Sequence, residues 1–166
     1  MQTVKMVVTG PFNSGKTAFI QTVSEIDVVA TERKITAEAE KVKESTTVAM
    51  DFGRITVDDE LVLYLFGTPG QKRFDFMWEI LSEGMLGFIV MVDSTRPETF
   101  RAYAPTPYIV AANKQDRADS WDIDDMRIAL RLDKSIQLLP TTALNKDSVK
   151  SVLVSLLTDI LREIGE

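Results

Sequence analysis

The feature that most constrains the fold is a glycine-rich loop between an apolar run and an amphipathic segment. Residues 10–17 read G-P-F-N-S-G-K-T, which matches the pattern G-x-x-x-x-G-K-T. The preceding run, V-K-M-V-V-T at 4–9, is typical of a buried strand. The following segment, 18–23, places Phe19, Ile20 and Val23 on one face of a helix. A strand, a glycine-rich turn and a helix in this order predict a phosphate-binding loop.

Within this loop, backbone N–H groups and two side chains are the candidate phosphate ligands. The amides can point inward as a nest around the β-phosphate, at the positive end of the following helix. Lys16 would bridge the β- and γ-phosphates, and the Thr17 hydroxyl would bind Mg2+. The predicted contact residues are Asn13, Ser14, Gly15, Lys16, Thr17 and Ala18.

A second motif, N-K-Q-D at 113–116, follows the apolar run Y-I-V-A-A at 108–112. Asp116 can accept from the guanine N1–H and exocyclic amine, a pair of donors that adenine lacks. Asn113 can satisfy the other edge of the base, and Lys114 can pack over the ring plane. Because an unmatched buried polar group costs about 1–3 kcal/mol, this carboxylate favours GTP over ATP.

With both motifs in place, the chain resembles a Ras-superfamily small GTPase from Thr3 to about Ile164. Residues 46–52, T-T-V-A-M-D-F, are similar to the T-I-G-x-D-F of switch I. Residues 67–71, G-T-P-G-Q, resemble the D-T-A-G-Q of switch II, and 142–144, T-A-L, resemble S-A-K or S-A-L. In character the chain is nearest to bacterial Ras-like GTPases of the gliding-motility and conservon types.

The resemblance implies a role for several further residues. Thr47 would sense Mg2+ and the γ-phosphate and would be a metal ligand together with Thr17. Gly70 would offer its amide to the γ-phosphate, and Gln71 would orient the attacking water, so that Lys16, Gly70 and Gln71 form the catalytic set. The backbone that supports the guanine would come from Thr142, Ala143 and Leu144.

The fold implied for residues 1–166 is a single α/β domain of the P-loop NTPase type. Its doubly wound sheet would have six mostly parallel strands, one antiparallel edge hairpin and helices on both faces. We expect strands near 3–9, 47–57, 60–66, 85–92, 107–112 and 136–140, and helices near 15–26, 71–83, 122–132 and 146–164. An apolar stripe along the last helix is predicted to be core: Val149, Leu153, Leu156, Leu157, Ile160 and Ile164.

The implied activity is that of a GTP-binding switch that slowly hydrolyses GTP to GDP with Mg2+. Switch I (about 27–47) and switch II (about 67–80) would order around GTP and relax after hydrolysis, which would control a partner protein that binds these segments. The alternative is a pseudo-GTPase that holds the nucleotide constitutively as part of an assembly.

Two residues depart from the family pattern. Gly67 stands where most relatives have the switch II aspartate that holds a water on Mg2+. Asp58 and Asp59 fall in the preceding hairpin turn, so no neighbouring acid is expected to replace it in register. Weaker metal binding and slower hydrolysis follow as expectations. Phe12, a bulky residue in the phosphate loop, could obstruct an arginine finger.

Two segments have unusual length. The switch I insert, 31–45, is charged and predicts a mobile flap or a short solvated helix. By contrast, residues 94–107 are few for a full crossover helix between parallel strands. Either that helix is truncated or the sequence lacks some of its residues. The second alternative is favoured, because R-P-E-T-F at 96–100 resembles a helix opening.

The amino-acid composition limits the classes of partner and the lipid anchors that the chain can have. The formal charge of −6 and the pI of about 4.8 argue against nucleic acid as a partner. Without cysteine, the chain can carry neither a disulfide nor a prenyl or palmitoyl group. We therefore expect a cytoplasmic prokaryotic protein with no direct membrane anchor.

Overall fold

A computed structural model of the chain describes residues 2–28, 31–35, 46–69, 77–97 and 106–165. Within these residues, strands and helices largely alternate along the chain. The strands are β1 (Gln2–Thr9), β2 (Thr31–Ile35), β3 (Thr46–Thr56), β4 (Leu61–Gly67), β5 (Gly87–Asp93), β6 (Tyr108–Asn113) and β7 (Leu138–Pro140). The helices are α1 (Lys16–Val23), α2 (Met77–Ser82), α3 (Ile123–Ala129) and α4 (Lys146–Ile164).

The described strands form one sheet in the order β2-β3-β4-β1-β5-β6-β7. The strands β4, β1, β5, β6 and β7 are parallel to one another. Strand β3 pairs antiparallel with both β2 and β4. The predicted fold class is confirmed, with the antiparallel hairpin at one edge. All six predicted strands are present, and β2 adds a seventh at that edge.

Strand β2 lies in the switch I insert, for which a flap or a solvated helix was expected. Thr31–Ile35 instead pairs antiparallel with β3, from Thr31 opposite Met50 to Ile35 opposite Thr46. The expectation was wrong for these five residues, because an edge strand pairs on one side only and readily carries charged side chains. The remainder of the insert, 36–45, lies outside the described residues.

The core has two parts, one on each face of the sheet. Successive side chains of β1 alternate between them, since Met6 and Val8 pack on the face of α1 and α4 while Val7 faces α2 and α3. The predicted α4 stripe is largely confirmed, because Val149, Leu153, Leu156 and Ile160 are buried whereas Ile164 is exposed. On the other face, Trp78 of α2 packs edge-on against Phe88. No helix in the described part of the chain is long and apolar enough to cross a membrane.

Two predicted segments fall partly outside the described residues. In the β5–β6 connection, 98–105 are not described, so both alternatives for its helix stay predictions, although β5 and β6 do pair in parallel. In switch II, 70–76 are not described, which leaves the expected roles of Gly70 and Gln71 untested.

Candidate nucleotide-binding site

The glycine-rich loop leaves the carboxyl end of β1 and packs against the loop that follows β6. Gly15, which precedes α1, has a φ of 99°, a backbone conformation that residues other than glycine rarely adopt. A Cβ built on Gly15 would lie 2.1 Å from Asn113 Nδ2. Glycine is therefore required at this position both by the backbone and by the contact with the second motif.

Lys16 is buried at the first residue of α1, and its ammonium group lies against the loop backbone. Its Nζ donates to the carbonyl oxygens of Gly10 at 2.8 Å and Pro11 at 2.7 Å. Burial lowers the pKa of Lys16 to about 8, while the negative charge of Asp51 acts in the opposite direction. A buried cation at the start of a helix is suited to bind a phosphate, whose charge would offset the desolvation of the ammonium group.

Thr17, the predicted metal ligand, contacts a carboxylate that the sequence did not indicate. Its hydroxyl donates to Asp51 Oδ2 at 2.5 Å. Asp51 is the direct partner of Gly67 across the antiparallel β3–β4 pair. The interpretation that no acid stands in register with Gly67 was therefore wrong. The acid comes from the neighbouring strand β3. Its position opposite Gly67 depends on strand pairing, which the G-T-P-G-Q motif alone does not show.

The oxygen donors at this point fit a magnesium ion. Mg2+ takes hard oxygen ligands and in phosphate-binding sites uses one or two protein oxygens besides water and phosphate. Thr17 Oγ1 keeps its lone pairs while it donates its hydrogen to Asp51. Among the residues that the structure describes, no cluster of three or more acidic side chains could hold a metal by itself. A metal here would therefore depend on oxygens of the nucleotide. The side chain of Thr47, the other predicted ligand, is not described.

Asn113 joins the phosphate loop to the loop after β7. Its Nδ2 donates to the Ser14 carbonyl at 2.9 Å, and its Oδ1 accepts from the Ala143 amide at 2.8 Å. The side chain is only 3% exposed. Both ends of the amide thus contact protein, which gives Asn113 a role in holding three loops together. The predicted contact with the edge of the base stays a prediction, since the amide keeps a second N–H and a second lone pair.

Lys114 is held by an aspartate that sequence reasoning missed as a site residue. Its Nζ lies 2.5 Å from Asp93 Oδ2. Burial by itself raises the pKa of Asp93, but hydrogen bonds from Lys114 and Thr95, together with the charge of Lys114, bring the pKa below its ordinary value. Its place at the end of a strand could have indicated Asp93 as a site residue. Asp93 ends β5 and Asn113 ends β6, and the two residues are paired.

The remaining predicted base contacts lie at the same edge of the sheet. Asp116 is exposed in the loop after β6. The Thr142 amide donates to Ser148 Oγ on α4 at 2.9 Å, which fixes the start of the 142–144 segment. Ala143 is buried and Leu144 is exposed. The two motifs, about a hundred residues apart in sequence, are thereby brought into one site.

The sheet order, the phosphate loop after β1 and the N-K-Q-D loop after β6 together define a P-loop protein with the fold of a Ras/Arf-like small GTPase. The structure of the Arl6 BBS3 small GTPase from Trypanosoma brucei with bound GppNp is similar over 97% of this chain and 99% of that one. The TM-score is 0.70 at 19% sequence identity, which shows the shared fold.

The chain belongs to the family described as "conserved hypothetical ATP binding protein", whose model matches residues 8–163. An uncharacterized protein of Methanocaldococcus jannaschii, MJ1339, is 32% identical over 70% of this chain and 73% of its own length. The ADP-ribosylation factor-like protein 3 of Saccharomyces cerevisiae is 27% identical over 89% of this chain and 81% of its own. The Ras-related protein SEC4 of that yeast is 27% identical over 67% of this chain and 59% of its own.

Proposed function

We propose that this protein is a GTP-binding molecular switch that hydrolyses GTP slowly to GDP and phosphate with Mg2+. The observation that carries the proposal is the pair of hydrogen bonds from Asn113 to Ser14 and Ala143. These bonds hold the phosphate loop beside the N-K-Q-D loop, so one nucleotide can contact both. The similarity in fold to a small GTPase whose structure contains the nucleotide analogue GppNp supports a guanine nucleotide as the ligand.

Different residues of the chain bind different parts of the nucleotide. The amides of residues 13–18 and the Lys16 ammonium hold the phosphates, and Lys16 stays charged as negative charge builds on the γ-phosphate. Thr17 and Thr47 would hold Mg2+, which neutralises charge on the phosphate oxygens. Asp116 accepts from the guanine donors, while Lys114, held by Asp93, lies beside it in the loop.

The switching part of the proposal concerns residues 27–47 and 67–80. Thr47 and the Gly70 amide would contact the γ-phosphate, and Gln71 would orient the water that attacks it. Loss of the γ-phosphate would release both segments, and a partner protein that reads them would respond. We place the protein in the cytoplasm and assign its membrane recruitment, where it occurs, to that partner.

ATP binding is a second candidate, because the description of the family names ATP. Competition of unlabelled GTP and ATP against a fluorescent GDP analogue separates the two. We expect GTP to compete far better than ATP, and Asp116→Ala to weaken GTP binding by about 10- to 100-fold, for a lost contact of about 1–3 kcal/mol. The matched control is Asp119→Ala, an exposed aspartate in the same loop that pairs with Arg117. Equal competition by ATP and GTP would overturn the guanine assignment.

The pseudo-GTPase alternative is separated by single-turnover hydrolysis of prebound radiolabelled GTP, with and without Mg2+. Slow release of phosphate that depends on Mg2+ supports the switch, and the Gln71→Ala variant is expected to slow it further. Bound GTP that stays intact over hours would favour the alternative, in which the nucleotide stabilises an assembly.

A further inference from the structure

The starting observation is the space above Gly67 at the end of β4. A Cβ built on Gly67 would lie 3.1 Å from Asp51 Cβ and 3.3 Å from Asp51 Oδ2. It would also lie 3.0 Å from Ile20 Cδ1 of α1. The side chain of Asp51 therefore fills the place that a side chain at position 67 would enter. Residues directly opposite in an antiparallel pair share one face of the sheet, which is why two neighbouring strands can supply a group to the same point.

The second observation is where the Asp51 carboxylate points. Its Oδ2 accepts from Thr17 Oγ1 at 2.5 Å, and Thr17 is the last residue of the phosphate-loop motif and the second residue of α1. Its charge also acts on Lys16, the phosphate-binding cation. The carboxylate is thus held at the junction of the loop and α1, beside the hydroxyl expected to bind the metal.

We propose that Asp51 supplies the acidic group of the magnesium site, delivered from β3 in place of the residue that β4 lacks at Gly67. This inference rests on the proposed function, since the metal would share its coordination with nucleotide phosphates. The carboxylate accepts a hydrogen bond from a metal-bound water or binds the metal through one oxygen, and it orients Thr17 at the same time. Gly67 contributes by having no side chain, because a Cβ there would crowd the Asp51 side chain, at 3.1 Å from its Cβ and 3.3 Å from its Oδ2.

The proposal changes the expectation drawn from Gly67 alone. A site that lacks its acid should hold Mg2+ weakly, whereas a site whose acid comes from another strand should hold it normally. The quantity to measure is therefore the dependence of nucleotide release on Mg2+. Release of a fluorescent GDP analogue is followed in excess unlabelled GDP, first in EDTA and then across a titration of Mg2+.

In the unmodified protein, Mg2+ is expected to slow GDP release. Asp51→Asn keeps the shape of the side chain and an oxygen that accepts from Thr17, but it removes the charge. We expect the Mg2+ concentration for half-maximal slowing to rise by about 10- to 100-fold, the usual effect of losing such a partner of a metal site. Release in EDTA should change little. Asp59→Asn, an exposed aspartate in the turn between the same two strands, is the matched control and should leave both rates unchanged.

The exchange Asp51→Gly with Gly67→Asp moves the carboxylate to β4 and clears the space it needs. This double variant should recover most of the Mg2+ dependence that Asp51→Asn loses. Gly67→Asp alone keeps Asp51 and crowds it at the distances given above, so this single variant should require more Mg2+ than the unmodified protein. If Asn at position 51 impairs folding, the double variant decides alone, since it restores a carboxylate without restoring residue 51.

Electron paramagnetic resonance of Mn2+ on the GDP complex gives a direct metal readout, in which free Mn2+ should rise in Asp51→Asn. Unchanged Mg2+ dependence in Asp51→Asn, or a folded double variant that recovers nothing, would overturn the proposal while leaving GDP binding intact. Failure of the unmodified protein to bind GDP or GTP at all would instead refute the proposed function, and the inference with it.

Discussion

The two ends of the candidate site are built differently. At the base end, Asn113 donates to Ser14 and accepts from Ala143, and Lys114 pairs with Asp93, so side chains fix the loops to one another. At the phosphate end, Lys16 contacts the carbonyls of its own loop, and one hydrogen bond links Thr17 to Asp51 on β3. The base end matches the family motif, and the side chains of Asn113 and Lys114 are already bonded to other protein groups. The phosphate end departs from the motif at Gly67, and its acidic group, Asp51, comes from β3.

This difference shows which parts of such a site can change. A base loop that is joined to two other loops through one buried amide leaves little room for substitution, because each contact depends on the others. A metal site needs only an oxygen of the right charge at the right point, and either of two paired strands can present one. The predictions below test whether the base end is the rigid half that this comparison implies.

The largest effect on nucleotide affinity is expected where the two ends touch, at Gly15. In Gly15→Ala the new Cβ would approach Asn113 Nδ2 to 2.1 Å, so the Asn113 side chain must move and both of its hydrogen bonds weaken. Because these bonds hold together the two loops that one nucleotide must contact, weakening both at about 1–1.5 kcal/mol each should lower GDP affinity roughly 100-fold. Equilibrium titration with a fluorescent GDP analogue measures it.

Gly84→Ala is the matched control for Gly15→Ala. Gly84 also has a positive φ, 70°, but a Cβ there would have nothing within 4 Å. It should cost about 1–2 kcal/mol of folding stability through backbone strain and leave GDP affinity unchanged. Equal GDP affinity for the Gly15 and Gly84 variants would show that the contact between the two loops is unimportant.

The second effect concerns the amide itself. Asn113→Ala leaves the Ala143 N–H and the Ser14 carbonyl without their partner, and the site is buried. We expect the free energy of unfolding to fall by about 2–4 kcal/mol, as measured by urea denaturation without nucleotide. Asn145→Ala, which removes the exposed cap of α4, should cost only about 1 kcal/mol. A smaller loss at position 113 than at 145 would contradict the rigid base end.

The smallest effect involves Asp93, and it depends on pH. Because the folded pKa of Asp93 is lowered, its charge stabilises the fold above the unfolded pKa of about 3.9, and this stabilisation is lost as the pH falls through the folded value. Asp93→Asn should therefore lower the free energy of unfolding by about 1 kcal/mol at neutral pH. The difference from the unmodified protein should shrink in acid, which denaturation at a series of pH values tests.

The control for Asp93 is Asp119→Asn, which breaks an ion pair whose side chains are 57% and 61% exposed. Its effect should be smaller at neutral pH, because solvent screens that pair more strongly. A constant difference between Asp93→Asn and the unmodified protein across the acid range would mean that the ion pair with Lys114 does not account for the shift.

Much of the fold could be predicted from local patterns. The apolar runs at 4–9 and 108–112 predicted strands that the structure confirms, and the stripe from Val149 to Ile160 predicted the buried face of α4. These predictions succeeded because burial of a strand or helix face leaves a periodic pattern in the sequence. Strand β2 was missed because an edge strand of charged residues leaves no such pattern.

The sequence by itself determined the phosphate loop, the N-K-Q-D motif and the α/β fold class with a mostly parallel sheet. Each of these depends on contiguous residues, whose backbone conformation and hydrophobic period can be read locally. Only the tertiary structure decided that Asp51 stands beside Gly67, that Asp93 holds Lys114 and that Asn113 faces protein at both ends. Those relations arise from the register of paired strands and the approach of distant loops. No local sequence pattern shows which strand or loop a given carboxylate will contact.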